Sequence, residues 1–253
     1  MRHFFTILSH EIRSLLFNPS TYVAAVLFLA LMGFIFTGIL DAYSKAPQET
    51  PPAAMFFQLF WIPVFFMVPL LTMKCLAEER RLGTLETLLT TPVSTAEVVL
   101  GKFGAAYLLY LAMWGSTFGF HAVLQHYAPD PRYLDSGPLL GGYLFIAVSG
   151  LLFVALGVFA SAMTRSQSVA GIFSFTMLFA LIIGGRYLSD VTSLNHDLLQ
   201  PVKTTVDALQ IFQHLEDFTH GVIDTRQVFF YVTGAVLALI FSILGVEAKL
   251  LQG

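Results

Sequence analysis

Six stretches of this chain run for 19 to 25 residues without a single Asp, Glu, Lys or Arg: 22–40, 51–73, 103–125, 139–163, 166–185 and 227–246. About 20 apolar residues in a helix cross the hydrocarbon of a bilayer. Inside lipid the backbone has no water to bond, so each run must satisfy its own N–H and C=O groups as a helix. The fold class expected is all-α and integral to a membrane, with six transmembrane helices. Composition agrees: 11% of the 253 residues are charged, against about 25% in soluble domains. The runs take up about half the chain, which leaves no room for a separate soluble catalytic domain. Residues 1–253 read as a single membrane domain. The first run starts too late and is too long for the apolar core of a cleaved signal, so it is expected to remain as an anchor. A lone cysteine, Cys75, has no second thiol for a disulfide or a metal site. It reads as a small apolar residue at a helix end.

The densest charge in the chain follows the second run. Glu78, Glu79, Arg80 and Arg81 are consecutive, and Leu82, Gly83, Thr84, Leu85, Glu86, Thr87, Leu88 and Leu89 follow them. Each ionised group costs roughly 2.5–3.5 kcal/mol at the bilayer centre even on the mildest scale, so the segment belongs in water beside the membrane. Leu82, Leu85 and Leu89 recur at i, i+3 and i+7, with Leu88 on the same stripe, the pattern of a short amphipathic helix. Held by its leucines, such a helix offers its polar side to something outside the membrane. After Pro92, Ser94 and Glu97 stand three apart as a capping box that opens a new helix. The connection 78–97 therefore reads as helix, turn, short helix, proline break and helix.

Residues 1–19 read as an amphipathic helix lying in the membrane interface. At 100° per residue Phe4, Phe5, Leu8, Ile12, Leu15 and Leu16 share one arc of about 120°, with Ile7 and Phe17 as exceptions. Asn18-Pro19 then turns the chain into the first span. His10-Glu11 is not a zinc motif, because the second histidine of H-E-x-x-H is missing. The connection 189–226 is long for a loop without structure. Leu209, Ile211, Phe212, Leu215 and Phe218 give it a partly helical apolar pattern, so short helices facing the membrane and dipping into the outer leaflet are expected there; a small folded outer cap is the alternative. Small residues at four-residue spacing, Gly115/Gly119, Gly157/Ser161, Ala180/Gly184 and Gly234/Ala238, allow helices to approach closely.

Placing the amino terminus in the cytosol puts eight of the thirteen Lys and Arg on the cytosolic side and ten of the sixteen acids on the other. This positive-inside bias sets both termini and residues 78–97 in the cytosol. Missing chemistry narrows the function. An ion-coupled carrier needs an ionisable residue in the bundle to bind and release its ion, and the six runs hold no carboxylate, lysine or arginine. A membrane enzyme needs a base, nucleophile or metal ligands within mutual reach. His121 is the ionisable candidate in a span, and it reads as a packed histidine; His196, His214 and His220 are scattered. No G-x-x-x-x-G-K-[ST] loop is present, so ATP is not bound in that manner. A transporter without an internal ion site must draw its energy from a partner.

At this point the residues resemble a known family. Residues 78–89, with Pro92, Val93, Ser94, Glu97 and Gly101-Lys102 after them, are similar to the first cytoplasmic loop of the ABC-2 (type V exporter-like) permeases of ATP-binding-cassette transporters. In that family an E-R-x-x-G-T-L-E-x-L-L pattern forms the coupling helix that seats on the ATPase subunit. The amphipathic start ending in Asn18-Pro19 resembles the family's connecting helix. Residues 214–224 resemble the outer region before the last span in the gliding-motility type. The resemblance implies a six-span half-transporter of a bacterial inner membrane, two of which pair with two separate ATPase subunits to drive export. Glu78, Glu79, Arg80, Arg81, Gly83, Thr84, Leu85, Glu86, Leu88 and Leu89 are then the expected contact with the ATPase. The chain itself is expected to be no enzyme and to hold no cofactor, ATP and magnesium being bound by the partner, and to take no nucleic acid. Cargo, direction and the identity of the second permease chain stay open. The competing readings are an ion-coupled carrier, a non-transporting assembly or anchor protein, and a membrane enzyme.

Overall fold

A computed structural model of the protein describes residues 2–45, 50–84, 93–127, 136–187 and 209–250, and among them every regular element is helical. The helices are α1 (Arg2–Phe17), α2 (Pro19–Lys45), α3 (Pro52–Gln58), α4 (Trp61–Thr72), α5 (Ala77–Leu82), α6 (Thr95–Ser116), α7 (Phe118–Tyr127), α8 (Ser136–Met163), α9 (Gln167–Phe179), α10 (Ile211–Thr219) and α11 (Thr225–Leu250). A π-helical turn, Ala180–Gly184, extends α9. Six helical stretches are long and apolar enough to cross a membrane: Pro19–Lys45, Trp61–Leu82, Thr95–His126, Ser136–Met163, Gln167–Tyr187 and Thr225–Ala248. The protein is a multi-pass membrane protein.

Local chemistry explains the breaks. Asn18 separates α1 from α2, its side-chain oxygen accepting from the Ser20 backbone N–H at 3.1 Å and from the Ser20 hydroxyl at 2.8 Å. Pro19 takes the first helical position, where a missing N–H costs nothing. The run 51–73 is not one helix: α3 ends at Gln58 and α4 begins at Trp61. Pro63 accounts for the interruption, since its ring nitrogen cannot donate to the Leu59 carbonyl four residues back and its ring crowds that carbonyl. Ser94 and Glu97 form the expected capping box at the start of α6, Glu97 N–H donating to the Ser94 hydroxyl at 3.2 Å and Ser94 N–H to the Glu97 carboxylate at 3.2 Å.

α8 is the axis of the bundle, packed against α11, α9, α6 and α10. Within their most apolar windows, the second and fourth spans are 61% and 67% buried while the fifth and sixth are each 28% buried, so the former lie inside and the latter offer much of their surface outward. Two of the small-residue pairs serve close packing: a Cβ on Gly157 would meet Thr72 and one on Gly234 would touch Leu152. Gly115, Gly119 and Gly184 have nothing within 4 Å of a Cβ, so those pairs leave open surface instead.

One end of the bundle is aromatic. Phe56, Phe57, Phe60, Phe145, Phe218 and Tyr231 are fully enclosed there. His121 joins them with 1% of its surface exposed, its ring 4.8 Å from Phe56 and stacked on Phe57 at 6.1 Å. The helix α10 differs from the lipid-facing helix expected of this stretch. Its apolar residues Ile211, Leu215 and Phe218 are buried against the bundle, and the backbone at Phe218 lies so near α8 that a Cβ on Gly141 would sit 1.9 Å from the Phe218 carbonyl oxygen. The remaining part of that connection, 188–208, lies outside the described residues.

Candidate functional site

The other end of the bundle is built from charges and directed hydrogen bonds. It gathers α1, the junction of α4 with α5, the start of α6 and the last turns of α8 and α11. At its centre is Lys102, whose side chain is only 4% exposed. Its ammonium lies 2.7 Å from Glu11 Oε1 on α1 and 2.7 Å from Glu79 Oε1 on α5. One buried cation thus holds two carboxylates from two different elements. The arrangement carries a net charge of about −1, and its ions are tolerable inside the protein because each has a close opposite charge. The second oxygen of Glu79 is buried without a hydrogen-bond partner among the described residues. A cleft of about 210 Å³ beside it is lined by His10, Glu11, Lys74, Glu78, Glu79 and Lys102 among others.

The backbone around Glu79 is fixed from α8. The Ser161 hydroxyl accepts from the Leu76 and Ala77 backbone N–H groups, each at 3.0 Å, and donates to the Met73 carbonyl at 3.3 Å. The first N–H groups of a helix have no partner within it, so Ser161 caps α5 from another helix. Arg80 donates to the Ala162 carbonyl at the end of α8 and, at 3.1 Å, to the Gly245 carbonyl of α11. Lys74 donates to the Ser20 hydroxyl at 3.1 Å and so joins this junction to the start of α2.

The amino-terminal helix is seated on α6. A Cβ on Gly101 would lie 2.7 Å from the Ile7 side chain, so glycine there allows the helices to touch. This explains why Ile7 falls outside the apolar arc of α1: it packs against protein. Phe5, Leu16 and Phe17 remain 64%, 46% and 84% exposed on other sides of the helix.

The segment expected to meet a partner is therefore divided. Glu79 and Arg80 are drawn into the bundle, and Glu78 lines the cleft. Arg81, Leu82, Gly83 and Thr84 are exposed. Gly83 ends α5 with φ of 70°, a left-handed conformation that glycine adopts without the Cβ clash of other residues. Thr84 turns back to donate to the Glu79 carbonyl at 3.3 Å. Leu85, Glu86, Leu88 and Leu89 lie outside the described residues. The sequence reading missed Glu11, Lys102 and Ser161 as members of this site. Nothing local distinguishes them: the ion partners of Lys102 are 23 and 91 residues away, and the N–H groups capped by Ser161 are 84 and 85 residues away.

The chain is a helical membrane bundle of six candidate spans with a charged junction after the second. The chain belongs to the ABC-2 transporter family: the profile described as "ABC-2 family transporter protein" matches residues 5–246. It is similar to a protein of Escherichia coli K12 named "Probable multidrug ABC transporter permease YbhR", 28% identical over 138 residues, and equally to its counterpart in E. coli O157:H7. The match takes in 50% of this chain and 33% of the relative's length.

Proposed function

We propose that this chain is the permease subunit of an ABC exporter in a bacterial inner membrane, driven by ATP hydrolysed on a separate ATPase subunit. Two permease chains, identical or related, pair with two ATPases. Both termini and residues 78–97 face the cytosol. Residues 1–19 lie in the membrane interface as a connecting helix. Residues 189–226 form the outer connection, and the resemblance of 214–224 to the outer region of the gliding-motility type supports that group within the family. The coupling segment meets the ATPase through Arg81, Gly83 and Thr84 and onward through Leu85, Glu86, Leu88 and Leu89, with Glu78 at its edge. Glu79 and Arg80 anchor that segment from inside.

The observation that carries this reading is the exposed stretch Arg81–Thr84 at a junction locked to α1, α6, α8 and α11. A push on that stretch reaches those four elements through short bonds. Rigid-body rearrangement of the spans is the natural response. The cargo is one with substantial apolar surface, such as a lipid-linked molecule or an amphipathic drug; the uncharged spans and the relative's name both support it. The buried Lys102 favours one other reading, an ion-coupled carrier. Its position at the extreme end of the bundle, already held by two carboxylates, argues against a site that must bind and release an ion at mid-membrane.

The test is substitution within the coupling segment. Leu85→Asp places an unpaired charge on the packed side of the expected helix, and Gly83→Pro forbids the left-handed turn. Each is expected to abolish stimulation of the ATPase by the permease while the six spans stay folded. Full stimulation by both variants would exclude this segment as the coupling element.

A further inference from the structure

Lys102 and Glu11 have no part in the partner contact just described, yet Lys102 is the most deeply buried ion among the described residues of the charged end. We propose that Lys102 is a positioning residue that makes the amino-terminal helix and the coupling segment move as one unit, with Glu11 and Glu79 as its two grips. This rests on the reading of 78–97 as the coupling segment and goes beyond it, because it makes α1 a second moving arm in place of a passive anchor.

Three observations carry it. First, both carboxylates lie 2.7 Å from the same Nζ, so neither pair can lengthen without the other carboxylate feeling the displaced charge. Second, Lys102 is almost wholly enclosed. Glu11 and Glu79 are themselves only 18% and 23% exposed, so a carboxylate pulled away from Lys102 loses its close opposite charge while still largely buried. Third, the helix of each arm is interrupted on its far side. Gly83 follows Glu79 by four residues in a left-handed turn, and Asn18 breaks the helix seven residues after Glu11. Between those breaks α1 and α5 are clamped to the first turns of α6, where the Gly101 contact with Ile7 seats α1. A displacement of α5 by the partner therefore carries Lys102, and Lys102 carries Glu11 and α1.

The charge count fixes what substitutions do. Glu11→Gln or Glu79→Gln leaves one carboxylate with one ammonium, a balanced pair, and frees one arm. Replacing Lys102 alone leaves two carboxylates facing each other and endangers the fold. The combination Lys102→Met, Glu11→Gln and Glu79→Gln has no charge left to bury and frees both arms.

The experiment uses the full chain in lipid nanodiscs, with Cys75→Ala and nitroxide labels on Ser9→Cys in α1 and Arg81→Cys in α5, read by double electron–electron resonance. The parent is expected to give a single narrow distance peak. Glu11→Gln, Glu79→Gln and the triple combination are each expected to lose it, while Glu11→Asp keeps it and tryptophan fluorescence reports the same melting of the spans. A narrow peak in folded Glu11→Gln and in the triple combination would overturn the proposal. If single variants unfold, the charge-free triple combination decides alone. Failure of any ATPase to bind the parent chain would remove the exporter reading and leave this distance measurement standing.

Discussion

The two ends of the bundle are held together in different ways. At the charged end, Lys102, Ser161 and Arg80 join five helical elements through bonds that work at one distance and one direction. At the aromatic end, Phe145 meets Phe60, Phe218 and Tyr231 with ring centroids 5.2 to 6.0 Å apart and mostly edge-on. Aromatic pairs of this kind contribute about 0.5–1.5 kcal/mol each beyond burial and accept a range of offsets. Rings can slide past one another and keep most of their contact. An ammonium between two carboxylates cannot. The contrast fits the proposed coupling, in which a push received at the charged end is answered by rearrangement at the other, where α10 is laid over the bundle as a separate short piece.

The sharpest way to break the contrast is Lys102→Met. The replacement keeps the volume and removes the charge, leaving Glu11 and Glu79 facing each other. Breaking a buried pair from one side costs about 3–5 kcal/mol, and a large fall in the thermal midpoint of the detergent-solubilised chain is expected. Next comes Ser161→Ala. It deprives the Leu76 and Ala77 N–H groups of their acceptor, at about 1–3 kcal/mol for buried groups left unpaired. Its midpoint should fall between those of the parent and Lys102→Met. Phe145→Leu at the aromatic end gives up ring contacts within a core that can relax, and about 1–3 kcal/mol, below the loss at Lys102→Met, is expected. A loss at Phe145→Leu equal to that at Lys102→Met would erase the difference between the ends.

The smallest effect expected is one of pH. Burial holds the His214 imidazole below its ordinary value of 6.5, with Asp217 and Asp224 pulling the other way. Its Nδ1 lies 3.0 Å from the Tyr231 hydroxyl, so the histidine links α10 to α11. The folded protein resists a proton that the unfolded chain accepts. The stability this site gives is complete above 6.5 and declines as pH falls through 6.5 toward the lower folded value. Thermal midpoints measured between about pH 8 and about pH 5 should fall more steeply for the parent than for His214→Gln, across the range where histidine titrates. Equal slopes would remove His214 as the cause.

Much of this architecture was legible because its signals are local. A run without charges reads as a span wherever it packs, Asn18-Pro19 breaks a helix by itself, and Ser94 with Glu97 caps α6 using neighbours three residues apart. The split at Leu59–Phe60 had a local signal too, in Pro63, which was hidden by the uniform apolarity of 51–73. The candidate site was legible only in outline. The cluster 78–81 marked where the chain leaves the bundle. Which of its charges turn inward is decided by Lys102, 23 residues beyond Glu79, and by the carbonyls of Ala162 and Gly245. The direction of α10 was misread for the same reason: its apolar stripe suits lipid and protein equally, and the close approach allowed by Gly141 settles it.

The proposed function makes this chain one half of an ATP-driven pair, with its charged end seated on an ATPase. Native mass measurement of the complex, purified in mild detergent from cells that also make its ATPase, tests this most directly. Two permease chains with two ATPases are expected. A single permease chain on two ATPases, or a chain that emerges with no ATPase bound, would contradict it.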